Sequence, residues 1–189
     1  MKRTLLLVSL ALLVVTITRH RVVKAQSDQP NRLVEPDTAE VFYRLEDSKL
    51  IPLERQTATI HGKASGFIVM SMKSVSEFPG GKSPIRFRSG EPLDFVVRSA
   101  FALSAVDPNT FYSLRHLDAK KKKRELVIMA GHASPVGASM QTNLAQGVLP
   151  VEFSKYGNGS IKLHTGPLAP GEYAVSHTYG QTVFCFGVD

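Results

Sequence analysis

Val41-Phe42-Tyr43-Arg44-Leu45-Glu46 sets the pattern that the rest of the chain repeats. Val41, Tyr43 and Leu45 alternate with Phe42, Arg44 and Glu46, a period of two that puts successive side chains on opposite faces of a strand. The Val41 face is expected to be the inner one. Residues 50–55, 84–88, 93–98, 110–118, 125–129, 148–153, 160–164, 172–177 and 182–188 give further short runs of strand character. Residues 66–72, with Phe67, Ile68, Val69 and Met70, are apolar on both faces and read as a central strand.

Most of these runs are bounded by Gly, Pro, Asn or Asp, the spacing of an antiparallel sandwich or barrel. Tyr156-Gly157-Asn158-Gly159 supplies residues that tolerate positive φ and reads as a hairpin turn. No window holds a sustained 3.6-residue period, so little helix is expected beyond one turn over residues 101–106, before Asp107-Pro108-Asn109. The expected core is Val41, Phe67, Val69, Phe87, Phe95, Val97, Leu126, Ile128, Phe153, Tyr173, Val175 and Phe184. Burying each large apolar side chain contributes about 1.5–3 kcal/mol, so such a core needs no disulfides.

Upstream of the β pattern the chain has a different character. Lys2 and Arg3 precede an apolar run over residues 5–17, and Val23-Lys24-Ala25 follows. That order is a secretory signal peptide over residues 1–25. The run is 13 residues long, and a stable membrane-spanning helix needs about 20. The basic segment 19–24 leaves an uncleaved N-terminal anchor as the alternative. Residues 26–39 are polar, contain Pro30 and Pro36, and read as a flexible linker to a single domain over residues 40–189.

The charge balance narrows the partners. The chain carries +7 in total, but the first 25 residues hold five basic residues and no acid, leaving +2. Five of the remaining basic residues form one run, Lys120, Lys121, Lys122, Lys123 and Arg124, outside which the balance is −3. A nucleic-acid footprint needs basic residues spread over a face, so that class is set aside. The run reads as a hydrated hairpin tip, or as a site that docks to an anionic membrane or polysaccharide.

Residues that could carry chemistry are scattered. His61, His116, His132, His164 and His177 share no ligand-type spacing, so no metal or cofactor is expected. Ser134 lies near His132, but the context is not a Gly-x-Ser-x-Gly elbow. Asp94, on an apolar strand, is the acid whose burial would be most informative, beside Glu91, Glu125 and the pair Glu46-Asp47. The lone Cys185, between Phe184 and Phe186, reads as a small core residue, with a reactive thiol as the alternative. Residues 130–147 show no clear strand and read as a binding or mobile loop.

The C-terminal segment Gly166-Pro167-Leu168-Ala169-Pro170-Gly171-Glu172-Tyr173-Ala174-Val175 carries a Leu-x-Pro-Gly-x-Tyr pattern. It resembles the strand starts of exported immunoglobulin-like and transthyretin-like sandwiches. Together with Ser83-Pro84-Ile85-Arg86-Phe87, residues 151–157 and the ending Val183-Phe184-Cys185-Phe186-Gly187-Val188-Asp189, it is similar to a group of uncharacterised exported bacterial β-sandwich proteins. The resemblance implies an all-β, antiparallel immunoglobulin-like sandwich in a bacterial envelope, with Tyr173 as a tyrosine corner. In that setting Asn158-Gly159-Ser160 is turn chemistry; in a eukaryotic secretory protein it could be glycosylated.

The expectation is a non-catalytic binding or interaction module, periplasmic or extracellular, whose partner is an envelope protein or polysaccharide. Direct membrane contact would come only through an uncleaved leader, and the oligomeric state is left open. The alternatives are an envelope hydrolase whose residues converge only in three dimensions, and a structural subunit pairing through an edge strand.

Overall fold

A tight turn at Asp47 and Ser48, both at positive φ (46° and 61°), folds β1 (Phe42–Glu46) back on β2 (Lys49–Pro52). These conformations are those of a two-residue hairpin, and they fix the register Glu46↔Lys49. The structure, a computed structural model, describes residues 33–100, 107–142, 147–178 and 180–189. The leader and the turn expected over 101–106 lie outside the described residues.

Two sheets are built from these strands. In the first, β1 continues to β7 (Leu93–Arg98), then β13 (Ser160–Thr165) and β12 (Glu152–Tyr156), in the order β12-β13-β7-β1-β2. The second contains β3 (Glu54–Thr57), β15 (Thr182–Val188), β14 (Gly171–His177), β8 (Tyr112–Ala119), β9 (Lys123–Ser134), β5 (Met70–Pro79) and β4 (Thr59–Ser65), in that spatial order. Three short strands join it: β10 (Gly137–Thr142) on β9, β11 (Val148–Leu149) on β8 and β6 (Arg86–Phe87) on β15. Every strand pair is antiparallel except that of β6 with β15. The one helix among the described residues is a single turn, α1 (Pro108–Phe111), where the Asp107 carboxylate accepts the Asn109 amide at 2.9 Å.

Side chains from both sheets meet in one apolar cluster. Phe42, Phe95, Val97, Ile161 and Leu163 come from the first sheet; Leu114, Tyr173, Val175, Phe184 and Phe186 come from the second. On β1 the inward residues are Phe42, 1% exposed, and Arg44, so the Val41 face is not the inner one. Both alternates of this strand hold large side chains, and a one-residue slip exchanges the faces. Arg44 is accommodated because its guanidinium lies over the Phe87 ring, 5.6 Å from the centroid, and donates to the carbonyls of Leu45 and Asp94.

The central strands β8, β14 and β15 of the second sheet are buried on both faces. The other face of that sheet holds Phe78, Leu117, Ala174, Val183 and Cys185. The sheet curls until β3, at one end of the strand order, comes against β5. Arg124 on β9 closes the curl: its guanidinium is wholly buried and grips the Glu54 carboxylate at 2.8 and 3.1 Å. It also donates to the carbonyls of Gly80 and Pro79. Glu172 continues the network, accepting from the Ser83 amide at 2.8 Å and from Arg86, which also grips Asp189.

Three further expectations change. Residues 66–69 do not form a central strand; they are the turn between β4 and β5, with Phe67 100% and Val69 55% exposed. Leu126, Phe87 and Phe153 are half-buried at the margins of the clusters, and Ile128 is half-buried outside them. The described part of the expected linker, residues 33–39, is docked on the domain. Pro36 is buried, and the Glu35 carboxylate accepts the amides of Asn158 and Gly159 and the Ser160 hydroxyl at 2.8–3.0 Å. These bonds hold the Glu35 carboxyl below the usual range, the Asn158 amide contributing most. Gly157 (φ +63°) is required here, because a Cβ would meet the Glu35 carboxylate at 2.2 Å.

Candidate functional site

The curled sheet does not end where its core ends. Val75 and Phe78 on β5 are buried at 1%, but residues 59–70 and 135–140 are all exposed. A β-bulge between Ser74 and Val75 marks the boundary. Beyond it β4, β5, the outer half of β9, and β10 form a four-stranded arm. Met70 pairs with Ala133, so the β4–β5 turn and the β9–β10 turn lie at the same end of the arm. That end presents Phe67, Ile68, Val69 and Met70 from one turn and Val136, 98% exposed, from the other.

The period of two gives the arm two unlike faces. Ala64, Met72, Gly131 and Met140 form one row across the strands; Gly62, Ser74 and Met129 belong to the next row on that face. All four methionines after Met1 lie on the arm. Met72, Met129 and Met140 line a depression of about 290 Å³ with Gly62 and Ala64. Gly131 is needed for this packing, since a Cβ would stand 2.6 Å from the Ser139 carbonyl oxygen. Lys63, Lys73, Ser71 and His132 occupy register positions on the opposite face.

The arm carries no acid. Residues 58–76 and 126–142 contain His61, Lys63, Lys73 and His132 as their only ionisable side chains. The acids stand at the base, where Lys63 and Lys123 bridge Glu77 and Glu125 at 2.6–3.1 Å. Lys63 and then Lys123 hold the Glu125 carboxyl down to about 2, and the same two cations lower Glu77. Lys73 makes no ion pair among the described residues.

The basic run at residues 120–124 is divided by the fold. Lys120, Lys121 and Lys122 are exposed in the turn from β8 to β9. Lys123 is held by the two base carboxylates, and Arg124 is a buried structural cation that presents nothing to a surface partner. Sequence alone makes the run look like one unit, and its adjacent acid, Glu125, pairs with Lys63 and Lys123 rather than with Arg124. Glu54 and Glu172, which define the role of Arg124, arrive from distant strands.

The remaining candidates take separate places. His164 Nδ1 meets Asp94 Oδ1 at 2.6 Å on the outer side of the first sheet, both side chains about a third exposed or more. His177 faces Glu40 at 3.3 Å, His61 faces Glu77 at 3.8 Å, and the His116 ring is edge-on to Tyr173. His132 lies 3.3 Å from the Ser71 hydroxyl, while Ser134 donates to the Gly137 carbonyl. Ser134 and His132 thus each have another partner. Of Asp94, Glu125, His132, His164 and His177, which a hydrolase would have to bring together, Asp94 and His164 touch, on a sheet surface rather than in a cavity. No group of three His, Cys, Asp or Glu side chains able to hold a metal occurs among the described residues.

Cys185 and Tyr173 are internal. Burial pushes the Cys185 thiol up to about 12. The Tyr173 hydroxyl donates to the Ala169 carbonyl at 2.6 Å, four residues upstream, and its ring stacks on Phe186. The stretch expected as a loop over 130–147 is largely strand: β9 runs to Ser134 and β10 covers Gly137–Thr142. Residues 143–146 lie outside the described residues.

The exposed apolar tip was missed because four apolar residues in a row satisfy the pattern of a buried strand. The available signal was on either side. Residues 59–65 and 71–76 are mostly small or polar, with Ile60, Met72 and Val75 the larger apolar side chains, so little in the flanking sequence could have covered such a strand. Comparison of the chain with protein-family models, curated proteins and solved structures found no match.

Proposed function

We propose that this chain is an exported, non-catalytic interaction module of the bacterial cell envelope, its body an immunoglobulin-like sandwich and its four-stranded arm the engaging element. The observation that carries this reading is the exposure of Phe67, Ile68, Val69, Met70 and Val136 together at the free end of the arm. Clustered apolar side chains in water favour association, and a domain that can bury Phe42 and Phe95 has no folding reason to display them. The acid-free arm suits an anionic envelope surface over a basic or neutral one. The leader-like residues 1–25 supply the route to that surface.

Fractionation of cells expressing the full chain tests this. The wild-type protein is expected in the envelope fraction. Phe67→Ser/Ile68→Ser/Val69→Ser is expected in the soluble exported fraction with an unchanged melting temperature. Equal retention of both proteins would count against the arm as the engaging element.

A further inference from the structure

A separate cavity of about 380 Å³ lies on the body of the domain, between β8, β11 and the end of α1. It is within the size range of small-molecule sites. Its most unusual member is Arg115. This side chain is 5% exposed, yet no carboxylate pairs with it among the described residues. Its one hydrogen bond is from Nε to the Ser113 hydroxyl at 3.2 Å, two residues back on the same face of β8. The terminal guanidinium nitrogens have no acceptor among the described residues.

This arrangement differs from the other buried cations. Arg124 has the Glu54 carboxylate and two backbone carbonyls. Arg44 has two carbonyls and an aromatic face. A guanidinium cannot discharge by losing a proton, so burial without a counterion is destabilising. Burial alone lowers the Arg115 pKa, with no neighbouring charge acting against it. The local sequence offers no internal remedy: residues 108–117 contain no acid.

The rest of the cavity gives the ligand its second property. Val148, Leu149, Pro150 and Val151 form an apolar wall, and Thr178 and Asn109 add polar groups at its side. Val148 pairs directly with Arg115 across β11 and β8, so the cation and the apolar wall are adjacent. Leu149 and Val151 are packed on the main core and hold the wall rigid.

We propose that this cavity binds a small organic anion, with the oxyanion head on the Arg115 guanidinium and a short apolar body against residues 148–151. A planar guanidinium with two free edges matches a carboxylate or a phosphate through two parallel hydrogen bonds. The site is independent of the arm, which lies beyond the Ser74 bulge.

Titration of the full chain with sodium hexanoate and with hexyl phosphate, followed by NMR at the Arg115 Nε–Hε signal, tests this. At least one of the two anions is expected to shift that signal and to bind at least about tenfold more tightly than hexanamide. The stronger of the two identifies the head group. Arg115→Met, which keeps the side-chain volume, is expected to abolish the preference for the anion and to melt no lower than wild type. Arg115→Lys is expected to retain weakened binding. Equal binding of hexanamide, or anion binding that survives Arg115→Met, would overturn the proposal. So would an absence of binding by both anions, or a large loss of stability in Arg115→Met, which would mark Arg115 as a structural cation.

Discussion

Arg124, the last of five consecutive basic residues, holds Glu54 across the curled sheet with both terminal nitrogens, at 2.8 and 3.1 Å. Strand β9 and the edge strand β3 are joined there by a charge pair shielded from water. Arg124→Ala is expected to cost about 3–5 kcal/mol, because it strands a carboxylate inside the curl. Lys121→Ser, in the middle of the turn between β8 and β9, is expected to change stability by less than about 0.5 kcal/mol. Urea unfolding of the two variants measures the contrast.

The seating of Arg86 on Gly187 gives a second prediction. A Cβ at Gly187 would stand 1.5 Å from the Arg86 Nη1 atom, which lies between Glu172 and Asp189. Gly187→Ala is expected to be strongly destabilising in the wild-type chain and much less so beside Arg86→Ala. A double-mutant cycle by thermal unfolding reads the coupling. Additive effects would contradict the close approach.

The base of the arm predicts a pH dependence. Lys63 and Lys123 hold Glu125 near about 2 in the folded chain, below its value in an unfolded chain of about 4.3. A depressed carboxylate stabilises the fold above its unfolded pKa, and that contribution is lost as pH falls toward the folded value. The urea midpoint is therefore expected to fall between about pH 4.5 and 2. Lys63→Met/Lys123→Met should flatten that part of the profile. Parallel profiles for the two proteins would show that the cations do not set the Glu125 titration.

Cys185 is expected to be inert in the native state. It is wholly buried, and its thiol is pushed up to about 12, so almost no thiolate forms near pH 8. A chromogenic thiol reagent should react with one cysteine per chain in guanidinium chloride and with none in buffer.

Much of the body of this fold was legible in sequence. The strand pattern located Leu93–Arg98 and Thr182–Val188 with the bounds they have in the fold, because one or both faces of those strands are buried. The turn at Gly157 and Asn158 followed from residue chemistry alone. On β1 the pattern found the strand but not its inner face, since Phe42 and Tyr43 are equally apolar candidates. The arm was misread for a deeper reason. Strands β4 and β10 pair through their backbones with neighbours, and all of β4 and residues 137–140 of β10 are exposed. Amphipathic alternation reports burial, so exposed strands leave little trace of it. Arg115 was invisible for the complementary reason: its significance is the absence of a partner, which only the fold can reveal.

We propose that the end of the arm is the surface that meets the envelope. An environment-sensitive fluorophore on Phe67→Cys measures this directly, with Lys121→Cys as the reference position on the turn between β8 and β9. The native Cys185 stays unlabelled because it is buried. On mixing with isolated envelope membranes, the label at position 67 is expected to shift its emission to the blue, and the label at position 121 to stay unchanged. Retention of the protein on those membranes with position 67 still emitting as in water would contradict the claim.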